Sequence, residues 1–494
     1  MNTVRRSLAF SMAEKYLSQI LLIATTMVMA RVLTPAETGL YMTANAVILL
    51  ADNFRNFGVG LYIVQEKQIS QALVRSAFTV TLAFSLAIAA AIYAGADSIA
   101  AFYTAPELKT LLVVSAFGFL AVPFASPIMA LLQRDLAFKT VAGINLSAAL
   151  TGFVLTVTLG LAGWGPVSYI WGFVGANVAM AATAFAMRPL PWIFVPCLTG
   201  IRRLLSFGVV SSLITVTNMV YDMLPRLAFG KILGFDALGL YARTMNVCQL
   251  PDRTVTSALN PVILPAFASH ARAGGSLRES YLRGLALMLS VQWPALILLT
   301  LLADPIVYLL LGSQWGEVPP LVRLIALANM ALAPAALTFP ILVSAGRIAD
   351  ALKASLISLP PSMAIVIGAA FLGLHAVAAS LLLVAPLQMF VALLFIRRAI
   401  GLTWTDLREP VRGNLALALG AALAPVLIVA TSPTGFSLGW VQALASMAGA
   451  AAGWLLALTV IDHPMKHEIA LVRKLFAERV LSSRASVESR PATK

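Results

Sequence analysis

Charge is what this chain of 494 residues has least of: Asp, Glu, Lys and Arg make up 11% of it, against 60% hydrophobic residues. With a mean hydropathy of +0.90 it cannot cover itself with polar surface, which excludes a soluble globular protein. Cysteine is scarce too. Cys197 and Cys248 stand without a CxxC or a histidine partner, so neither a disulfide framework nor a metal site is indicated and both read as packing residues. The four histidines lie in or near connections, and no glycine-rich phosphate loop is found, so metal chemistry and ATP hydrolysis are unsupported and no cofactor is implied. Long connections are missing as well, which leaves no room for an extramembrane catalytic domain. Weak alternating strands of the barrel kind do not occur.

What is present comes in apolar runs of roughly twenty residues, the length a helix needs to cross the hydrocarbon core at about 1.5 Å per residue. They fall near 8–32, 40–63, 74–96, 110–132, 142–162, 166–187, 207–229, 238–267, 284–311, 319–344, 354–374, 376–396, 414–431 and 438–461. This predicts an all-α polytopic membrane protein of about fourteen transmembrane helices. Arg5 and Arg6 precede the first run as in a signal peptide. Glu14 and Lys15 lie inside it, however, and it continues to about Val32, so it reads as an uncleaved helix.

The basic residues gather in alternate connections. Lys67 and Arg75, Arg134 and Lys139, Arg188, Arg202 and Arg203, Arg272 to Arg283, Arg347 and Lys353, and Arg397 to Arg412 share one side with both termini. That side holds 25 of the 34 Lys and Arg residues, and the opposite loops hold Arg31, Lys109 and Lys231. The positive-inside rule then puts both ends in the cytoplasm. The net charge of +14 marks a membrane face, with no nucleic acid implied.

A repeat organises the chain. Arg31-Val32-Leu33, Gly39-Leu40-Tyr41, Leu50 and Asp52 recur in register as Lys231-Ile232-Leu233, Gly239-Leu240-Tyr241, Leu250 and Asp252. Six helices, an even number, separate the copies, so both halves enter from the same side. The expected architecture is two parallel six-helix lobes, 1–187 and 207–398, around a central cavity and joined by a proline-bearing cytoplasmic linker at 188–206. Residues 399–461 add two helices without counterpart, and 462–494 form a basic cytoplasmic tail. The Gly-Leu-Tyr triplets are expected at outer-face turns, glycine allowing tight entry and tyrosine anchoring at the interface. Trp192, Trp293, Trp315, Trp404 and Trp440 read as aromatic-belt anchors, and the Gly449/Gly453 spacing as helix packing.

Six cations remain inside the helices: Lys15, Arg55, Arg226, Arg243, Arg253 and Arg323. Each would cost roughly 2.5–3.5 kcal/mol facing lipid at the midplane, so they must face protein or water. Glu14, Asp52, Asp222 and Asp252 accompany them, leaving an interior that is net basic and better suited to an anionic cargo. Asp222 with Arg226 at i,i+4 and Asp52 with Arg55 at i,i+3 read equally well as structural ion pairs or as ion-coupling groups. The remaining cations favour a substrate-cavity role.

Four stretches carry a family resemblance: LTPAETGLY from Leu33, NFGVGLYIVQEKQIS from Asn56, LGFDALGLYAR from Leu233 and ADPIVYLLLGSQW from Ala303. They resemble the bacterial polysaccharide-transporter family of Wzx-type flippases, within the multidrug/oligosaccharidyl-lipid/polysaccharide exporter superfamily. The resemblance implies a non-enzymatic, monomeric inner-membrane flippase for a polyprenyl-diphosphate-linked oligosaccharide, in contact with membrane lipid. It also implies partnership with a polysaccharide polymerase and a chain-length regulator. The alternatives are a multidrug antiporter of the same superfamily, a flippase for the peptidoglycan lipid precursor and, from another class, a membrane polysaccharide polymerase. An organic-cation antiporter should have an acidic, aromatic cavity, and a polymerase should have a sizeable loop or domain.

Overall fold

The computed structural model describes residues 2–56, 59–66, 69–199, 201, 219, 223–252 and 275–470. All regular structure among them is helical. The elements are α1 (Asn2–Val32), α2 (Pro35–Asn56), α3 (Val59–Gln65), α4 (Gln71–Tyr103), α5 (Glu107–Arg134), α6 (Phe138–Leu161), α7 (Val167–Met187), α8 (223–232) and α9 (Gly234–Cys248). They continue as α10 (Leu277–Leu301), α11 (Ala303–Leu310), α12 (Val318–Leu332), α13 (Thr338–Ser344), α14 (Ile348–Ala370), α15 (Leu374–Ile400), α16 (Arg408–Thr431) and α17 (Trp440–Val460).

Ten helical stretches among the described residues are long and apolar enough to cross a membrane: α4 to α7, α10, the α12–α13 stretch, and α14 to α17. The protein is therefore a multi-pass membrane protein. These ten coincide with ten of the predicted runs. The other four runs, 8–32, 40–63, 207–229 and 238–267, hold five of the six cations counted inside helices. Of these, α1 and α2 are 31 and 22 residues long, ample for a crossing but diluted by charge. Most of the run 207–229 and half of the run 238–267 lie outside the described residues.

Proline explains where helices depart from the predicted boundaries. The run 284–311 divides into α10 and α11 because Pro305 has no amide and its ring opposes the carbonyl of Leu301. Pro334 likewise interrupts the run 319–344 with a 3-10 turn over Ala333–Ala335. At the start of α2 proline is favourable. Thr34 caps, with Glu37 Oε2 accepting from its amide at 2.9 Å and its hydroxyl accepting from the Glu37 amide at 3.3 Å, while Pro35 occupies the first helical position.

The chain forms two compact units, Met1–Ala242 with Leu309–Trp315, and Arg243–Tyr308 with Gly316–Lys494. Among the described residues the first has two cores. One gathers Ile63, Phe78, Ile128, Ile144 and Ile193, and the other gathers Leu40, Ile92, Leu112, Phe119 and Ile170. The second unit is built on Tyr281, Leu285, Trp293, Ile341 and Ile396. Its helices α16 and α17 cross at glycines: a Cβ on Gly453 would overlap the carbonyl oxygen of Gly420. The Gly449/Gly453 spacing is a packing device, as expected.

Several arginines of the basic connections satisfy helix-end and linker carbonyls. Arg134 donates to the carbonyls of Ile63 and Glu66. Arg75 donates to Val195 at 2.9 Å and to Pro196 at 3.3 Å, docking the linker on the start of α4. The end of that linker, from 202 to 206, lies outside the described residues.

Candidate transport site

The two copies of the repeat touch each other, inside the first unit. A Cβ on Gly39 would overlap the carbonyl of Phe235, and one on Gly239 would overlap the carbonyl of Pro35 and come within 3.1 Å of the Gly39 nitrogen. Since 39 corresponds to 239 and 35 to 235, the contact is self-complementary, as at a local two-fold axis. This corrects the expected role of the triplets. Gly39 and Gly239 sit within α2 and α9, not in turns, and glycine is needed there for backbone to reach backbone. The tyrosines pack as well. Tyr41 stacks on Tyr169 with centroids 4.1 Å apart, and Tyr241 meets Phe229 edge-on at 5.0 Å.

A second layer adjoins the crossing. The Thr43 side chain lies 3.0 Å from where a Cβ on Gly230 would stand, and Tyr103 donates its hydroxyl to the Leu227 carbonyl at 3.0 Å. Nearby, helix ends exchange caps. Arg31, near the end of α1, donates to the carbonyls of Leu309 at 2.7 Å and Leu310 at 3.5 Å. In return Gln314 donates to Ala30 and Leu33, and the Trp315 indole donates to Ala30 at 2.7 Å. Carbonyls left over at the ends of α1 and α11 are thereby satisfied. Gly312, at φ +100, turns the chain to permit this. Trp315 is fully buried, not an interfacial anchor, and Trp293 is also buried, donating to Met330 at 3.0 Å. Trp404 and Trp440 remain exposed.

The intramembrane charges fall into distinct settings. Arg55 is buried and forms the predicted intrahelical pair with Asp52 at 2.6 Å, on α2. Arg323, on α12, pairs with Asp304 at the start of α11 and lies 4.2 Å from the centroid of Phe436, in the turn between α16 and α17. Both are cation settings with a carboxylate already in place. Asp252 accepts from the Gln292 amide at 3.4 Å. Arg243 is buried on α9, and Arg226 is half-buried on α8. On α1, Lys15 is exposed and Glu14 accepts from Ser18 at 3.2 Å. Asp222 and Arg253 lie outside the described residues.

Three groups escaped sequence reasoning. Asp304 lies nineteen residues before its arginine and across a helix break, so no periodicity links them. Gln292 has no pattern around it. Gln314 and Trp315 stood within a recognisable stretch, but nothing in the stretch marks them as capping another helix.

The family described as "Polysaccharide biosynthesis protein" matches residues 28–320. The chain is 24% identical over 313 residues to the lipopolysaccharide biosynthesis protein WzxC of Escherichia coli (strain K12), covering 61% of this chain and 62% of that protein. It is 28% identical over 361 residues to the succinoglycan biosynthesis transport protein ExoT of Rhizobium meliloti (strain 1021), covering 70% of each. The match thus spans less than two thirds of WzxC's own length. In fold, the chain is similar to the lipid II flippase MurJ in an inward closed conformation, with a TM-score of 0.74 at 13% identity over 92% of this chain and 98% of that chain. A MATE family multidrug resistance transporter of the MOP superfamily, inward-facing, is similar with a TM-score of 0.63 at 14% identity, over 78% and 94%.

Proposed function

The chain belongs to this polysaccharide biosynthesis family, one of whose relatives is named as a transport protein, and from that premise we propose that it flips a polyprenyl-diphosphate-linked oligosaccharide across the inner membrane by alternating access. The observation that carries the reading is the Gly39–Gly239 crossing. It joins the two copies of the repeat with almost no side chain between them. A contact of that kind closes one end of a passage tightly and can reopen without dismantling a hydrophobic core. The exchanged caps of Arg31, Gln314 and Trp315 hold it with directional bonds that water can replace.

The basic face holds both termini on the cytoplasmic side, and the crossing then closes the outer end. With the outer end closed, the diphosphate enters from the cytoplasm. Arginine suits it because a guanidinium fork matches phosphate oxygens, and cargo oxygens can take over from carboxylate partners. Asp52 beside Arg55 and Asp304 beside Arg323 are carboxylates that an arriving diphosphate would displace. Lys15, Arg226, Arg243 and Arg253 are the further cations that the sequence offers to the cargo. The displaced carboxylates, with Glu14, Asp222 and Asp252, are the groups available to couple transport to a cation gradient. One charge crossing 100 mV is worth about 2.3 kcal/mol. The polymerase and the chain-length regulator act on the glycan after release.

Deleting the gene tests the reading. Surface polysaccharide should disappear while polyprenyl-linked units accumulate on the cytoplasmic side. Unchanged glycan together with new drug sensitivity would instead make this a multidrug antiporter.

A further inference from the structure

A cargo whose head travels through the protein while its chain stays in the bilayer needs a seam where an apolar chain can pass between helices. One slot in the first unit meets that need. It has a volume of about 300 Å³ and is lined by Val47 of α2, by Ser98, Ile99, Phe102 and Tyr103 of α4, and by Leu227 of α8. This is at the lower end of ligand-pocket volumes, room for a stretch of chain and not a whole glycan. The lining is apolar apart from the Ser98 hydroxyl and the phenol of Tyr103, and that phenol is engaged with Leu227.

Three observations identify the occupant. The slot opens toward the C-terminal end of α4, a helix apolar enough to cross a membrane, where Phe102 is 57% exposed, so an apolar chain meets apolar surface at its mouth. Its walls come from the first repeat's α2, from α4 and from α8, next to the second repeat's α9, beside the layer where Gly230 meets Thr43. Anything seated there would lie beside the crossing and also reach the bilayer. Cationic groups stand close by. Lys231 lies over the Phe102 ring, 4.9 Å from its centroid, and donates one of its three protons to the Phe102 carbonyl, leaving two. Arg226 neighbours Leu227 in the chain.

Resting on the flippase reading, we infer that this slot holds the phosphate-proximal isoprene units of the polyprenyl carrier as it leaves in the outer leaflet, with Lys231 facing its phosphate. An ordinary phospholipid has no need to enter the seam beside the crossing. A carrier that remains joined to a head inside the protein must pass through one.

Photo-crosslinking tests this on the full chain in nanodiscs of phosphatidylethanolamine and phosphatidylglycerol doped with undecaprenyl phosphate. p-Benzoylphenylalanine placed at Ile99 should capture undecaprenyl phosphate at least tenfold more than the same probe at Leu86, an exposed site on α4 about 20 Å away. Lys231→Gln should reduce that capture several-fold. Capture of phospholipid only, or equal capture at both sites, overturns the assignment. In cells, Ser98→Trp fills the slot and should lower glycan export at least tenfold at unchanged membrane abundance, and normal export by it also overturns the assignment. That outcome leaves the flippase reading standing so long as deletion still abolishes surface glycan. Deletion without glycan loss would defeat the flippase reading itself.

Discussion

Two glycine crossings serve different ends in this molecule. In the added hairpin, Gly420 and Gly453 bring α16 against α17, and the seam continues at Gly449, where a Cβ would come within 2.5 Å of the Ala424 Cβ. Small residues line it, and side-chain bonds in its connecting turn, such as Thr434 to Ser437 at 2.8 Å, stay within the turn. The Gly39–Gly239 crossing is as close, yet it is framed by polar bonds between distant segments, from Arg31 to Leu309 and from Trp315 to Ala30. The hairpin crossing is what helices use to stay together where lipid offers no hydrophobic drive to association. The other has its bonds arranged at helix ends, where a few exchanges with water release them. Close packing alone does not distinguish glue from gate. The surroundings do.

The largest expected effect separates them. Overpacking costs about 1–3 kcal/mol, and a new Cβ set against backbone lies at the upper end because backbone cannot change rotamer. Gly39→Val or Gly239→Val should therefore disfavour the closed outer end by roughly 30- to 150-fold, as about 2–3 kcal/mol shifts a two-state population. Thr43, fully buried beside the crossing, supplies the readout. Thr43→Cys should be unreactive toward a membrane-impermeant thiol reagent in the parent and reactive in the valine variants, with export lost. Gly453→Val should instead lower membrane abundance and thermal stability while export per molecule is kept. If Gly453→Val left Thr43→Cys exposed, or Gly39→Val left it protected, the two crossings would not differ in kind.

A smaller effect is expected from the exchanged caps. Trp315→Phe removes the indole donor to Ala30, whose carbonyl keeps only the Gln314 amide, a loss on the order of 1 kcal/mol. Combined with Gln314→Leu, it should raise Thr43→Cys reactivity about tenfold, less than the valine variants do. The double variant should leave the hairpin's stability untouched. Equal loss of thermal stability across the whole molecule would make these bonds general cement.

Much of this arrangement was legible before any coordinates. Runs of hydrophobicity located ten of the crossings, because length and apolarity are local properties. The Asp52–Arg55 pair followed from helical spacing, and Gly449/Gly453 from the habit of small residues at helix contacts. The duplicated Gly-Leu-Tyr showed that the chain had a repeat but not that the repeats touch, since contact between residues 200 apart leaves no period in the sequence. The same holds for Arg323. Its carboxylate stands on another helix and its aromatic neighbour, Phe436, more than a hundred residues later, so what looked like a free cation is an engaged one. Trp315 shows the converse error: a tryptophan near a predicted interface has an amphipathic ring either way, and burial can satisfy its N–H as well as water can.

The smallest effect is expected at the foot of the hairpin, where polar bonds also join distant segments and yet should carry no transport role. Asp406, just before α16, accepts from Arg278 at the start of α10 and from the Thr403 amide at 2.7 Å. The Arg278 guanidinium first, and the Thr403 amide after it, hold its carboxyl down at about 2, below the ordinary value of about 3.9. A depressed folded-state pKa contributes stability that is present above the unfolded value and is lost as pH falls through the folded one. The pair should therefore add a constant increment from pH 7 down to about 5 and lose it between about pH 4 and 2. Asp406→Asn should flatten the thermal-unfolding profile across that acid range and leave export at pH 7 unchanged. If it lowered export at unchanged abundance, the foot of the hairpin would move with the transport cycle, and framing by long-range polar bonds would mark moving parts in both units.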